Sequence, residues 1–199
     1  MPKLEGVKEQ RHQPFYDTLI RAPGNTAPTT PVASLTRLFA TSNIGNMGLT
    51  NMKSAGVLSS DQTFVVLSMR AWLHFRGPQA GDMYAGCASQ LFFTLEIGDK
   101  PFFQMGAWYF GSGGGIAGAD PGGPSLNLGT PDHRGILKLA QPIPIPARQG
   151  FAVISEFYPI GAGPLPSSDV RQNLLNASTN VGDRVIQFVL DGLHSRDVL

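Results

Sequence analysis

The chain has 199 residues, a formal net charge of +1, a single cysteine, 24 glycines and 16 prolines. With 15% charged and 42% hydrophobic residues it is neither a disordered polyelectrolyte nor a collagen-like repeat. The lone Cys87 excludes an internal disulfide framework and a cysteine-rich zinc site, and the charge balance gives no long-range pull toward nucleic acid or an anionic membrane.

Residues 1–32 read as an extended arm, and residues 33–199 as one domain large enough for a single core. The first 13 residues are charged and have no apolar h-region, so they do not form a secretory signal. No stretch approaches the roughly 18 consecutive apolar residues of a spanning helix, so the chain is expected to be soluble when made. Pro14, Pro23, Pro28 and Pro31 interrupt the arm, and Gly24-Asn25-Thr26-Ala27-Pro28-Thr29-Thr30-Pro31 is a turn-rich tether. Phe15, Tyr16, Leu19 and Ile20 are its only apolar group. Such a group is either a loosely docked terminus or an arm that becomes ordered on a neighbouring subunit.

From residue 33 onward the apolar period is two. Over residues 62–76 the odd positions are Thr63, Val65, Leu67, Met69, Ala71, Leu73 and Phe75, while the even ones include Ser68, Arg70, His74 and Arg76. That pattern predicts a long strand with one core face. Leu91, Phe93, Leu95 and Ile97 repeat it. Gly98-Asp99-Lys100 makes a short turn, and residues 101–110 return as the second strand of a hairpin. The return strand is apolar on both faces, with Phe102 and Trp108 on one and Phe103, Met105 and Tyr109 on the other. Both faces are therefore expected to be covered.

Pro142, Pro144 and Pro146 remove every N–H donor from one edge of the next strand, so it can pair on one side only. Residues 151–158 follow with Phe151, Val153 and Phe157 on one face. Residues 184–193 then alternate Ile186, Phe188 and Leu190 against Gln187 and Asp191. Weaker strands are expected at 34–41 and 48–58. Only residues 168–175 have room for a turn of helix. About eight strands with long Gly/Pro loops, at 111–130 and 160–182, predict an all-β fold. It is an antiparallel β-sandwich of the jelly-roll type with an extended N-terminal arm.

No constellation in the chain carries catalysis. Gly113-Gly114-Gly115-Ile116-Ala117-Gly118 has dinucleotide spacing, but Asp120-Pro121-Gly122-Gly123-Pro124 follows where a phosphate-binding helix would have to begin. His12, His74, His133 and His194 have no second ligand at metal spacing. His194, Ser195 and Asp197 lie too close together in sequence to read as a triad. Glu96 and Glu156 stand on predicted strands, where solvent-facing positions explain them better than an acid pair. Asn176-Ala177-Ser178 is a formal glycosylation acceptor only if the chain is secreted. Arg70, His74 and Arg76 are the one basic cluster and read as a solvated face. The expectation is a protein that is not an enzyme and uses no cofactor or metal.

Four stretches carry a resemblance. They are Ser59-Ser60-Asp61-Gln62-Thr63-Phe64-Val65-Val66-Leu67, Gly98-Asp99-Lys100-Pro101, Leu139-Ala140-Gln141-Pro142-Ile143-Pro144-Ile145-Pro146 and Leu190-Asp191-Gly192-Leu193-His194-Ser195-Arg196-Asp197-Val198. In style and segment order the chain resembles bacteriophage virion structural proteins of the single jelly-roll type. The resemblance implies a capsid, vertex or head-decoration subunit, made in the host cytoplasm and located in the virion. Its partners would be copies of itself and other virion proteins, with no specific nucleic acid and no membrane. The candidate assembly contacts are Phe15, Tyr16, Leu19 and Ile20 in the arm, and Trp108 and Tyr109 at the end of the hairpin. The alternative is a jelly-roll carbohydrate- or receptor-binding module, in which Trp72, Trp108 or Tyr109 stacks on a sugar.

Overall fold

In the computed structural model, residues 8–21, 35–40, 46–75, 91–110, 136–157 and 184–197 are described. The tether at 23–31, the loops at 111–130 and 160–182, the helical turn at 168–175, Arg76, Cys87, His133 and Asn176 lie outside them. Among the described residues nine strands form in chain order: β1 (Lys8–His12), β2 (Phe15–Arg21), β3 (Leu35–Leu38), β4 (Gln62–Phe75), β5 (Leu91–Ile97), β6 (Lys100–Gly106), β7 (Leu137–Ile145), β8 (Phe151–Phe157) and β9 (Arg184–Asp197). Among the described residues the only helical element is a single 3₁₀ turn, Ala107–Tyr109.

The strands make two antiparallel sheets that pack face to face. The larger runs β1-β9-β4-β7, with β2 also paired to β9, and the smaller runs β3-β8-β5-β6. The chain is thus the all-β sandwich expected from its period-two pattern. The shared core takes Phe64, Met69, Phe188 and Leu190 from the larger sheet and Leu91, Phe93, Leu95 and Val153 from the smaller. Phe93 and Phe188 meet across the layers with ring centroids 4.8 Å apart.

β4 and β9 form the centre of the larger sheet, and their ladder slips between Val66 and Ser68. The extra residue, Leu67, is exposed, while Phe64 and Val66 before it and Met69, Ala71 and Leu73 after it are buried. The odd-numbered core face expected over the whole strand therefore holds only after the bulge. One inserted residue shifts the alternation by one and exchanges the faces. On β9 a Cβ at Gly192 would overlap the Val65 carbonyl oxygen, so glycine allows the close approach at this bulge.

Among the described residues β7 pairs only with β4 and ends the larger sheet. This is the edge position that Pro142 and Pro144 predicted. The β5–β6 hairpin also forms as expected, with Ile97 opposite Lys100 and Gly98 at a φ of 62° in the turn. Residues 48–58 do not form a strand. They make a turn and two isolated bridges, Asp17 to Thr50 and Val57 to Gly150.

The N-terminal segment differs from the expected arm. β1 pairs with residues 193–197 of β9, and β2 pairs with residues 184–190 of the same strand. The two act as one interrupted edge strand, jointed where the Gln13 N–H donates to the Gly192 carbonyl at 3.2 Å. The physical reason is that β9 is long and needs a partner on its second side. Period-two alternation places Phe15 and Leu19 where they meet the core.

Candidate assembly surface

The six residues singled out in the sequence divide between two places. Phe15 is 6% exposed and joins the core, its ring 4.5 Å from Phe64 and 5.6 Å from the His194 imidazole. Tyr16 is half-buried and held by the segment at 46–52. Its N–H donates to Asn51 Oδ1 at 3.0 Å, its hydroxyl to the Met47 carbonyl at 2.6 Å, and its carbonyl accepts from Thr50 Oγ1 at 2.9 Å. Leu19 packs partly buried against the core. Ile20 pairs with Val185 in the ladder. As contacts offered to a neighbour, Phe15 and Leu19 are corrected: the chain's own sandwich already occupies them.

Sequence reasoning missed the group that fixes this segment, the buried Asp17. Its Oδ2 accepts from the Phe39 N–H at 2.6 Å, and Phe39 is itself buried with a φ of 67°. A carboxylate accepting a backbone N–H makes a strong, charge-assisted hydrogen bond. Here it ties β2 to the chain just after β3, in the other sheet. The clue in the sequence was a lone carboxylate inside an apolar run, at the same strand parity as Phe15 and Leu19.

Trp108 and Tyr109 face the other way. After β6 the 3₁₀ turn breaks the alternation, closed by the Phe110 N–H donating to the Ala107 carbonyl at 3.1 Å. Ala107 and Phe110 turn inward, and Phe110 packs edge-on against Phe93, Phe103 and Phe188. Trp108 and Tyr109 are left 58% and 53% exposed, and Phe102, further back along β6, is 49% exposed. Of the two faces expected to be covered, the described core packs against that of Phe103 and Met105.

Trp108 is exposed yet positioned. Its ring meets Phe92 at 5.2 Å and 89°, and a Cβ on Gly106 would overlap it. Glycine at 106 therefore lets the indole lie on the sheet backbone. The neighbouring outer face is polar, with Arg37 reaching Glu96 at 3.6 Å from β3 to β5. Among the described residues β6 pairs only with β5, and no described strand lies on its second edge. Beyond Pro101 it carries neither proline nor charge, unlike the proline-bearing edge of β7.

Two of the chemical alternatives raised by the sequence fall among the described residues, and they do not assemble there; the glycine motif at 113–118 lies outside them. Glu96 lies opposite Ala152 and Glu156 opposite Phe92, four residues apart along β8. That is about 13 Å, beyond the separation of a glycosidase acid pair. His194 and Ser195 are adjacent on β9, so their side chains point to opposite faces. Among the described residues no three His, Cys, Asp or Glu side chains gather to hold a metal ion, and no helix is long and apolar enough to cross a membrane. Compared with models of known protein families and with curated proteins, the chain matches none.

Proposed function

We propose that this chain is a virion structural protein, a capsid, vertex or head-decoration subunit that assembles through subunit–subunit contacts. The observation that carries the reading is the apolar edge at β6. Phe102 on the strand and Trp108 and Tyr109 just past its end are exposed, and no described strand pairs with its second edge. Beyond Lys100 and Pro101 that edge has no charge or proline to block pairing, and such an edge is a template for pairing unless a partner covers it. The wiring supports the same reading. With β1 and β2 taken as one interrupted strand, the sheets run first-eighth-third-sixth and second-seventh-fourth-fifth. That order is the one a jelly roll would have, an architecture used by capsid and lectin domains. Its partners are then copies of itself and other virion proteins, with no enzymatic step and no cofactor.

The second reading, a carbohydrate- or receptor-binding module, rests on the indole of Trp108 held flat against Gly106 as a stacking platform. Sedimentation velocity over a concentration series separates the two. Wild-type protein is expected to form a closed oligomer or larger assembly. The double variant Trp108→Ala, Tyr109→Ala is expected to lower the association constant by tenfold or more, about 1.4 kcal/mol. A wild-type monomer at high concentration that binds glycans through Trp108 would overturn the structural-protein reading.

A further inference from the structure

His194 is 6% exposed, and neither its Nδ1 nor its Nε2 has a hydrogen-bond partner among the described residues. It lies on β9 beside Phe15 of β2, which meets it edge-on at 5.6 Å, and at the register position of Phe64 of β4. On the other side its Cα partner is Arg11 of β1. Two strands are therefore seated over a buried imidazole that makes no hydrogen bond among the described residues. We infer that β1 and β2 stay docked only while His194 is uncharged, and that they detach from the sandwich when its imidazole takes up a proton.

The surroundings oppose that proton. A buried imidazolium would present two N–H groups and a full charge to aromatic rings. The charged groups that act on it are Arg11 and Glu9 from β1, Arg196 from its own strand and Asp61 from the turn before β4. Glu9 is already engaged by both arginines, at 3.0 Å to Arg11 and 2.8 Å to Arg196. Burial first, and then Arg11 and Arg196, hold the imidazole below its ordinary 6.5. The undocked state therefore binds the proton more tightly. Docking is at full strength above 6.5 and weakens as pH falls below it.

Among the described strands β1 and β2 pair only with β9, whereas β9 keeps β4, and β4 keeps β7, so release parts one ladder together with the bonds that tie Tyr16 and Asp17 to residues 46–52 and Phe39. Lifting the edge gives His194 access to water without opening the rest of the sheet. Two other ionisable groups lie near this edge. His12 stands 2.9 Å from Asp191, but its imidazole is well exposed and an exposed pair contributes little. The Glu9 carboxyl is pulled down by hydrogen bonds from Arg11 and then Arg196, so its links fail below 4.5, a separate and more acidic window.

Amide hydrogen exchange, expressed as protection factors, tests this on the full chain between about pH 7.5 and 5.5, a range spanning the usual imidazole value. Protection over 8–21 is expected to fall by up to about tenfold per pH unit, the limit for one proton, while 151–157 holds. In His194→Phe the fall over 8–21 should vanish. The inference is overturned if that variant keeps the fall, or if 8–21 and 151–157 lose protection in step. An NMR titration of the His194 imidazole in wild-type protein provides a check without any substitution. A midpoint at or above 6.5 overturns the inference, and one below it supports it.

Discussion

Phe15 and Trp108 are both large aromatics, one directly after Pro14 and the other two residues after Gly106, yet the fold treats them oppositely. Phe15 closes the core between Phe64 and His194, whereas Trp108 lies on the outer surface against Gly106 and Phe92. Hydrophobicity does not separate them, since the tryptophan is the larger apolar group. The backbone frame does. Phe15 starts a strand that is in register with β9, so its side chain must point inward. Trp108 follows a strand end, inside a 3₁₀ turn that gives the inward positions to Ala107 and Phe110. Burial follows from the register each residue inherits, and an aromatic that the register turns outward is left for something else to cover.

The sharpest way to break this comparison is at Phe15. Phe15→Ala is expected to cost about 3–5 kcal/mol of folding stability, the range for deleting a buried aromatic. Removing residues 1–22 should cost still more, because β9 would lose both strands on that side. Chemical denaturation measures both. If the truncated chain unfolds at the same denaturant concentration as the full one, the N-terminal strands are not part of the core.

The sandwich was legible because its signals are local. Alternation in residues 91–97, the Gly98-Asp99 turn and the prolines of β7 each impose geometry on their own segment. The N-terminal strands were not legible for a physical reason. Their core contribution is small until Asp17 finds the Phe39 N–H and β9 offers an edge, and both partners are far away in sequence. The phase of β4 was half legible, since a bulge at Leu67 leaves no mark in the alternation except that a leucine ends up outside. Of the assembly surface, the aromatics were visible in the sequence. Their exposure depends on a three-residue turn that propensity alone does not announce. His194 looked like terminal sequence and became a core position because β9 runs on to Asp197.

A smaller effect is expected at Asp17. Asp17→Ala leaves the buried Phe39 N–H without its carboxylate and should cost about 1–3 kcal/mol, the range for an unsatisfied buried group. Asp17→Asn, whose amide oxygen can still accept that bond, should recover part of the loss. Equilibrium denaturation of the two variants side by side provides the measurement. Equal losses would mean that space at this position matters and the hydrogen bond does not.

The smallest effect on folding is expected at Trp108. Its indole is more than half exposed and touches the fold through Phe92 and Gly106, so Trp108→Ala removes one edge-on ring contact and little core. Such a contact accounts for about 0.5–1.5 kcal/mol, and the loss should sit at the lower end because the ring faces water. Side-chain burial on folding and burial on assembly are thus separated at this residue, as they are not at Phe15. The variant should denature almost where the wild-type monomer does and lose self-association at the same time. A large loss of monomer stability in Trp108→Ala would move this tryptophan into the same class as Phe15, and the β6 edge would then be a structural seam of the subunit rather than a surface kept for a neighbour.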